Sequence, residues 1–245
     1  MERTPYWETL AFESEVLGVP SARILPETTF SESALSTLMA DLRRRGMKFV
    51  SCRIPDNQTE GASALENAGF NRIETQLKYR RALEPALSVK GQGRVVLART
   101  TDEMFCIEIA RKAFVYDRFH SDPLIDREKA DALKARWTQN SLHGRADACL
   151  VIPSETETAA GFVLCMRNGE DAVIDLIAVD PDHYGKGLGK ALVSGALAHY
   201  RGRATGMRVG TQGTNNPSIS LYESMNFVLQ EKMATYHWHE TGASS

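Results

Sequence analysis

Three glycines at alternate positions in Tyr184-Gly185-Lys186-Gly187-Leu188-Gly189-Lys190 are the residues of this chain best suited to holding a charged ligand. They follow an apolar run, Val173-Ile174-Asp175-Leu176-Ile177-Ala178-Val179, which reads as a central strand buried on both faces. Asp180-Pro181 closes that run, because proline has no N–H to give a ladder. Beyond the glycines, Leu188, Leu192, and Ala196 or Leu197 share one face and predict a helix from Leu188 to about Tyr200. A strand, a turn and a helix in that order leave successive N–H groups without helical acceptors and aim a positive dipole end at one point. Such a turn suits a diphosphate, and a Cβ at the glycines would hold the phosphate off the amides. Lys186 adds positive charge. Two other anion sites fail on spacing: a Walker loop needs Ser or Thr where Gly187 stands, and a dinucleotide fingerprint needs a glycine where Lys190 or Leu192 stands.

Farther on, Asn215-Asn216-Pro217-Ser218-Ile219-Ser220-Leu221-Tyr222-Glu223-Ser224-Met225-Asn226-Phe227 combines a helix-capping type, a tyrosine and a residue that tolerates left-handed backbone. It resembles the GNAT acetyltransferase pattern Asn-x-x-Ala-x-x-Leu-Tyr-x-x-x-Gly-Phe, with Ser218 for Ala and Asn226 for Gly. The stretch Ile177 to Gly189 is similar to that family's acetyl-CoA turn, in which Leu-x-Val-x-Pro leads to a Gln or Arg and then to spaced glycines; Tyr184 stands in place of the Gln or Arg. The resemblance implies acetyl-CoA as cofactor, held by Tyr184, Gly185, Lys186, Gly187, Leu188, Gly189 and Lys190, with Asn215 and Ser218 beside its pantetheine or diphosphate arm. It also implies N–H groups around Ile177, Ala178 and Val179 facing an oxyanion, and Tyr222 near the thioester sulfur, where a phenol can protonate the departing thiolate. The ammonium proton of the acceptor has several takers: Asp175, an ionisable group inside an apolar strand, Asp171, Glu170, or water as the default.

On the acceptor side, Phe114-Val115-Tyr116-Asp117-Arg118-Phe119-His120-Ser121-Asp122-Pro123 forms a polar and aromatic loop. Arg118, Phe119 and His120, with Trp137 downstream, are the candidate substrate-binding residues, since rings and a guanidinium suit a base or sugar face with phosphates. Together with Trp7-Glu8, Ala11-Phe12 and Thr211-Gln212-Gly213-Thr214-Asn215, this stretch resembles the TDP-fucosamine N-acetyltransferase group, which implies a nucleotide-linked, dTDP-type amino-dideoxy sugar as the small-molecule partner. The rivals are an amino acid, polyamine or protein amine as acceptor, and a non-catalytic acyl-CoA-binding module.

Positioning these residues requires a particular order of elements. After Arg94 to Ala98 comes a helix opened by Thr100 with Glu103 in capping-box spacing and Ile107, Ala110 and Phe114 on one face. A second helix runs from Asp126 to Asn140 with Ala130, Leu133 and Trp137 in register. Strands Ala148 to Ile152 and Ala160 to Arg167 follow, and Asn168-Gly169 signals a hairpin into Ala172 to Val179. Then come the glycine helix, Met207 to Thr211, a helix Pro217 to Met225 and a strand Phe227 to Trp238.

The N-terminal part reads as strand Ala22 to Leu25, helix Ser31 to Arg45, strand Lys48 to Ile54, helix Gln58 to Ala68 and strand Phe70 to Arg80. It repeats the last five elements of the second part, with Ala64 to Phe70 matching Ser220 to Phe227 after one position is trimmed, Glu66 in the place of Tyr222, and no glycine turn. The expected fold is therefore α/β (α+β): a GNAT fold with a mixed, mostly antiparallel central sheet flanked by helices, preceded by a degenerate GNAT-like half. Pro85, Gly91 and Gly93 mark a connector, giving domains 1–82 and 94–245 with a linker at 83–93.

Composition sets the outer limits. The 245 residues, 42% hydrophobic, allow one or two globular domains, and 29 basic against 31 acidic side chains give a net charge of −2 and no electrostatic reason to bind nucleic acid or an anionic membrane. Cys52, Cys106, Cys149 and Cys165 lie far apart without metal spacing and read as reduced thiols. No metal is implied, and the histidines show no triad or zinc spacing. An N-terminus without an apolar core and the lack of a membrane-length apolar stretch place the chain in the cytoplasm. Oligomeric state is not written in the sequence; a homodimer is compatible with it.

Overall fold

The computed structural model describes residues 6–25, 31–83, 95–153 and 159–240. They form two compact units: Met1–Gln76, Asp117–Ala130 and Glu231–Ser245 make the first, Leu77–Tyr116 and Asp131–Gln230 the second. This partition cuts across the expected order of 1–82 followed by 94–245, and most of the 83–93 connector lies outside the described residues. The C-terminal strand explains the difference, because it ladders antiparallel with the N-terminal half from Met233↔Pro55 to His239↔Phe49.

In the first unit the elements are β1 (Trp7–Thr9), α1 (Ala11–Leu17), β2 (Ser21–Ile24), α2 (Glu32–Arg44), β3 (Phe49–Pro55), α3 (Thr59–Asn67) and the start of β4 (Asn71–Ala82). Strand β1 is antiparallel to β2, and β2 is parallel to β3. Helix α2 starts where Ser31 accepts the Ala34 N–H, and its apolar stripe of Leu35, Leu38, Met39 and Leu42 is buried. That stripe packs with Val50, Cys52 and Ile54 of β3, Leu65 of α3, and Ala234, Tyr236 and Trp238 of the C-terminal strand. Strand β1 and helix α1 escape a reading by periodicity, since α1 spans only seven residues and one of its two buried side chains is Glu13.

The second unit takes the rest of β4, then β5 (Val96–Leu97), α4 (Glu103–Ala113), most of α5 (Arg127–Asn140), β6 (Ala148–Pro153), β7 (Ala159–Asn168), β8 (Asp171–Val179), α6 (Leu188–Tyr200), β9 (Gly206–Gln212), α7 (Asn216–Ser224) and the start of β10 (Val228–His239). Strands β5 to β8 pair antiparallel in chain order, and β8 is parallel to β9. The mixed, mostly antiparallel sheet flanked by helices is thus as expected, and Gly169-Glu170 is the two-residue turn of the β7–β8 hairpin. The opening of α4 is a correction. A 3-10 turn, Thr100–Asp102, precedes it, and the Asp102 carboxylate rather than Glu103 reaches back, accepting the Arg99 N–H at 2.7 Å. The buried face of α4 is Cys106, Ile109 and Ala110 rather than one that includes Ile107, and Phe114, at the C-cap, packs partly buried against the same core.

The internal repeat appears in the backbone, in a register that needs no trimming. Phe70 N–H donates to Leu65 O at 3.0 Å, and Phe227 N–H to Tyr222 O at 3.0 Å. Gly69 and Asn226 donate to Glu66 O and Glu223 O respectively, and both take the left-handed conformation, at φ 90° and 61°. Leu65, not Glu66, therefore occupies the place of Tyr222, and the first copy lacks the phenol.

Candidate active site

Residues after β8 leave the sheet through a 3-10 turn, Pro181–His183, capped by the Asp180 carboxylate, which accepts the Asp182 N–H at 3.0 Å. Gly185 and Gly187 then take φ values of 76° and 74°, a conformation that costs a side-chain-bearing residue about 1–2 kcal/mol. The space a Cβ would occupy at either position is open. Gly189 differs: it lies in the first turn of α6, where a Cβ would come 3.4 Å from the Leu221 side chain. The N-cap of α6 is Gly187, with no side-chain cap, and Ala191 donates to Gly187 O at 3.1 Å. Among the described residues, the N–H groups from Gly185 to Lys190 donate to no protein backbone acceptor. With no acidic side chain in that first turn and Lys186 and Lys190 exposed, the row of bare amides fits a diphosphate.

Strand β8 carries a bulge. Against β7, Leu164 pairs with Leu176 and Cys165 with Ile174, so Asp175 is the extra residue. One inserted residue exchanges the faces that follow it. Ala172 and Ile174 before the bulge, and Ile177 and Val179 after it, pack in the core that includes Leu192 and Ala196 of α6; Leu176 and Ala178 pack with Cys106, Ile109 and Ala110 of α4. A core thus lies against each face, as expected, although Val173, Asp175, Ile177 and Val179 are only partly covered. The parallel ladder with β9 runs from Asp171↔Gly206 to Ile174↔Val209 and stops at the bulge, although β8 continues to Val179 and β9 to Gln212. Beyond it, alternate N–H groups of Leu176 to Val179 lack a ladder acceptor on the β9 side.

On α7, Asn215 is the N-cap, its Oδ1 accepting the Ser218 N–H at 3.2 Å, which leaves its two amide hydrogens outside the cap. Tyr222 is 2% exposed, its ring 6.2 Å from that of Tyr79 and 5.7 Å from that of Phe227. Burial alone pushes the phenol well above its usual range, so it keeps its proton at neutral pH. Tyr79 donates instead to Glu223, at 3.1 Å.

A bare-amide turn, a strand opening beside it and a tyrosine on the following helix all fall within residues 85–227, which match the model of the acetyltransferase (GNAT) family. The chain belongs to the GNAT family of acetyltransferases. The spore coat polysaccharide biosynthesis protein SpsD of Bacillus subtilis (strain 168) is 29% identical over 136 residues, a match spanning 55% of this chain and 46% of SpsD. In fold the chain is similar to a GCN5-related N-acetyltransferase from Sphaerobacter thermophilus, with TM-score 0.66 and 15% identity over 95% of this chain and 76% of that one. It is also similar to a tandem GNAT protein from the clavulanic acid biosynthesis pathway, with TM-score 0.59 and 14% identity over 93% and 77%.

In this GNAT chain, two residues expected at the site come together: Trp137 Nε1 donates to Asp175 Oδ2 at 2.7 Å. Arg145, which the sequence reading did not single out, donates to the same oxygen at 2.7 Å, and its guanidinium lies 4.9 Å from the Trp137 ring centre. Asp171, considered as a proton acceptor, is an anchor at the opposite end of β8. Arg80 grips it with two bonds of 2.9 Å, Arg208 with one of 2.6 Å, and these donors hold its carboxyl down at about 2. Glu170 lies in the hairpin turn, its carbonyl accepting the Thr205 N–H at 2.9 Å.

Arg118, Phe119 and His120 belong to the first unit, and none lies open as an acceptor loop would. Arg118 pairs with Glu13 at 3.2 Å and lies over the Phe119 ring at 4.1 Å; Phe119 is 1% exposed, and His120 Nδ1 is 2.5 Å from Asp117. The same unit gathers Asp122, His237 and His239, a set of metal-ligating types that the sequence conceals by long separation. Asp122 Oδ2 is 2.7 Å from His237 Nδ1 and 2.7 Å from His239 Nε2. Arg118 Nη1 lies 3.4 Å from His237 Nε2 and, as a donor only, favours the His237 tautomer whose Nε2 can accept. A metal-bound Nδ1 would set an N–H at Nε2 against the guanidinium, whereas Nδ1–H donating to Asp122 leaves Nε2 to accept from Arg118. The cluster is thus a hydrogen-bonded relay, and burial pushes His237 down to about 4, leaving it neutral. Burial likewise raises Cys52 and Cys106 to about 12 and Cys149 to about 11, so these thiols remain protonated, and no helix among the described residues is long and apolar enough to cross a membrane.

Proposed function

We propose that this N-acetyltransferase moves an acetyl group from acetyl-CoA to a primary amine by direct attack in a ternary complex, and that the amine belongs to a nucleotide-linked, dTDP-type amino-dideoxy sugar. The observation that carries the reading is the run of N–H groups from Gly185 to Lys190 with no protein backbone acceptor at the start of α6. Those amides, Tyr184 beside them and the lysines of the turn hold the diphosphate, while Asn215 and Ser218 meet the pantetheine arm. Acetyl-CoA supplies the activated acyl thioester. Within Ile177, Ala178 and Val179, the N–H groups that point away from β7 and have no β9 partner donate to the carbonyl oxygen as charge builds on it and the amine nitrogen bonds to carbon. Water takes the ammonium proton before attack; Tyr222 then gives its proton to the sulfur as the carbon–sulfur bond breaks, and the second proton that the nitrogen sheds on becoming an amide restores the phenol.

The sugar acceptor finds support in the relative SpsD, whose name assigns it to polysaccharide biosynthesis. Trp137, half-buried beside the bulge, is the acceptor-side ring of this reading. Arg118, Phe119 and His120 serve as the packed base of the segment they belong to. Incubation with acetyl-CoA and a panel of nucleotide-linked amino sugars, followed by thiol release, is expected to show turnover with a dTDP-linked sugar. Turnover confined to free amino acids, polyamines or peptide amines overturns the assignment of the acceptor.

A further inference from the structure

We propose that Asp175 is a positioning residue, not the proton acceptor: with Trp137 and Arg145 it pins the β8 bulge and so sets where β8 parts from β9. The inference rests on the acyl-CoA reading of the β8–β9 opening and goes beyond it by assigning what holds that opening in place. Asp175 is itself the extra residue of the bulge. An inserted residue is left unpaired, disrupts the ladder locally and bends its strand. Here a single oxygen, Oδ2, takes both the indole N–H of Trp137 and the guanidinium of Arg145, each at 2.7 Å. The two donors also brace each other, with Arg145 stacked 4.9 Å from the indole ring centre.

The brace is rooted in local structure. Ser141–Arg145 form a π-turn at the end of α5, with Gly144 at φ 103°, and Arg145 Nη1 also contacts Ser141 Oγ at 3.3 Å. The turn carries Arg145 back toward β8 while the preceding helix carries Trp137 to the same carboxylate. The consequence lies one residue away: the β8–β9 ladder ends at Ile174↔Val209, and the amides beyond it face the opening. Releasing the clamp lets the bulge migrate or flatten, and a one-residue slip turns each following amide to the other side.

The test uses the full chain, with calorimetry against coenzyme A and initial rates of acetyl transfer to whichever panel sugar the wild type turns over. Asp175→Asn keeps an oxygen for both donors but cannot take a proton, and it should hold kcat within about threefold with an unchanged pH profile. Asp175→Ala should lower kcat by about tenfold or more, since displaced amides lose the carbonyl oxygen, and should weaken coenzyme A by a similar factor, since the slip carries through the end of β8 into the glycine turn that follows it. Trp137→Phe, which removes the N–H and keeps a ring, should move both in the same direction and show no further loss when combined with Asp175→Ala; it also serves if the alanine variant fails to fold. Equal losses in Asn and Ala with a shifted pH profile would make Asp175 the base and overturn the proposal, as would wild-type behaviour in Asp175→Ala. A wild type that does not bind coenzyme A removes the acyl-CoA reading and this inference with it, whereas binding without turnover of any sugar removes only the acceptor and leaves the clamp to be judged by calorimetry.

Discussion

Tyr222 illustrates how a side chain becomes a proton donor through its surroundings. Its ring is packed between aromatic neighbours, and burial holds the proton on the phenol at any pH where an amine substrate is reactive. Tyr222→Phe is therefore expected to lower kcat by about a hundredfold while leaving coenzyme A affinity within about twofold, as read by initial rates and calorimetry. Unchanged turnover would remove Tyr222 as the acid. Asp171 shows the opposite case, a carboxylate held charged by Arg80 and Arg208 for the sake of the hairpin end. Tyr222 and Asn215 are legible in the sequence because a short local pattern surrounds them. The partners of Asp175 are not, since Trp137, Arg145 and Asp175 meet only after three elements have packed.

The turn between β8 and α6 is the element whose form was most fully written in the chain. Helix α6 begins and ends where the apolar spacing places it, from Leu188 to Tyr200, and the glycines before it adopt the left-handed backbone that their type permits. Gly187→Ala should lower unfolding free energy in denaturant by about 1–2 kcal/mol, because the φ of 74° becomes strained. It should also weaken coenzyme A in calorimetry, since Gly187 lies within the amide row and caps α6; an alanine variant that binds as tightly as wild type would show that the row is not the diphosphate site. Strand β8 was legible as a strand but not as a bulged one. A bulge is defined by the count of residues on the opposing strand, and that count lies outside the segment itself. The apolar run Val173 to Val179 suggested burial on both faces, and two different cores do take alternate residues; their exchange at Asp175 is what the run conceals.

Each of the two units carries its own acid-sensitive network, and the pH windows differ. His237 in the first unit is held down near 4 from the usual 6.5 by burial, so the unfolded chain gains a proton that the native state refuses as the pH falls through 6.5. Native stability drops over that window, from pH 6.5 to about 4, by roughly 3 kcal/mol, and then levels off. Asp171 in the second unit is held near 2 from 3.8, so its contribution is complete above 3.8 and is lost as the pH falls toward 2, amounting to about 2 kcal/mol. Thermal melts from pH 8 to 2 should show both declines, with His237→Gln flattening the upper and Asp171→Asn the lower. A slope between pH 6.5 and 4 that survives His237→Gln would rule out this origin.

From the amino-acid order alone came most of the element types, the glycine turn and the tyrosine helix, because each depends on spacing within a few turns, where periodicity and backbone preference act directly; the mixed sheet followed from the GNAT resemblance that those motifs carry. Packing decided the rest. The C-terminal strand joins the N-terminal sheet, Leu65 rather than Glu66 takes the place of Tyr222, Asp175 becomes a bulge, and Arg118 is drawn into a buried charge network instead of an open loop. These depend on which distant segment supplies the ladder partner or the counter-charge, and a single chain without its contacts holds no local signal for that choice.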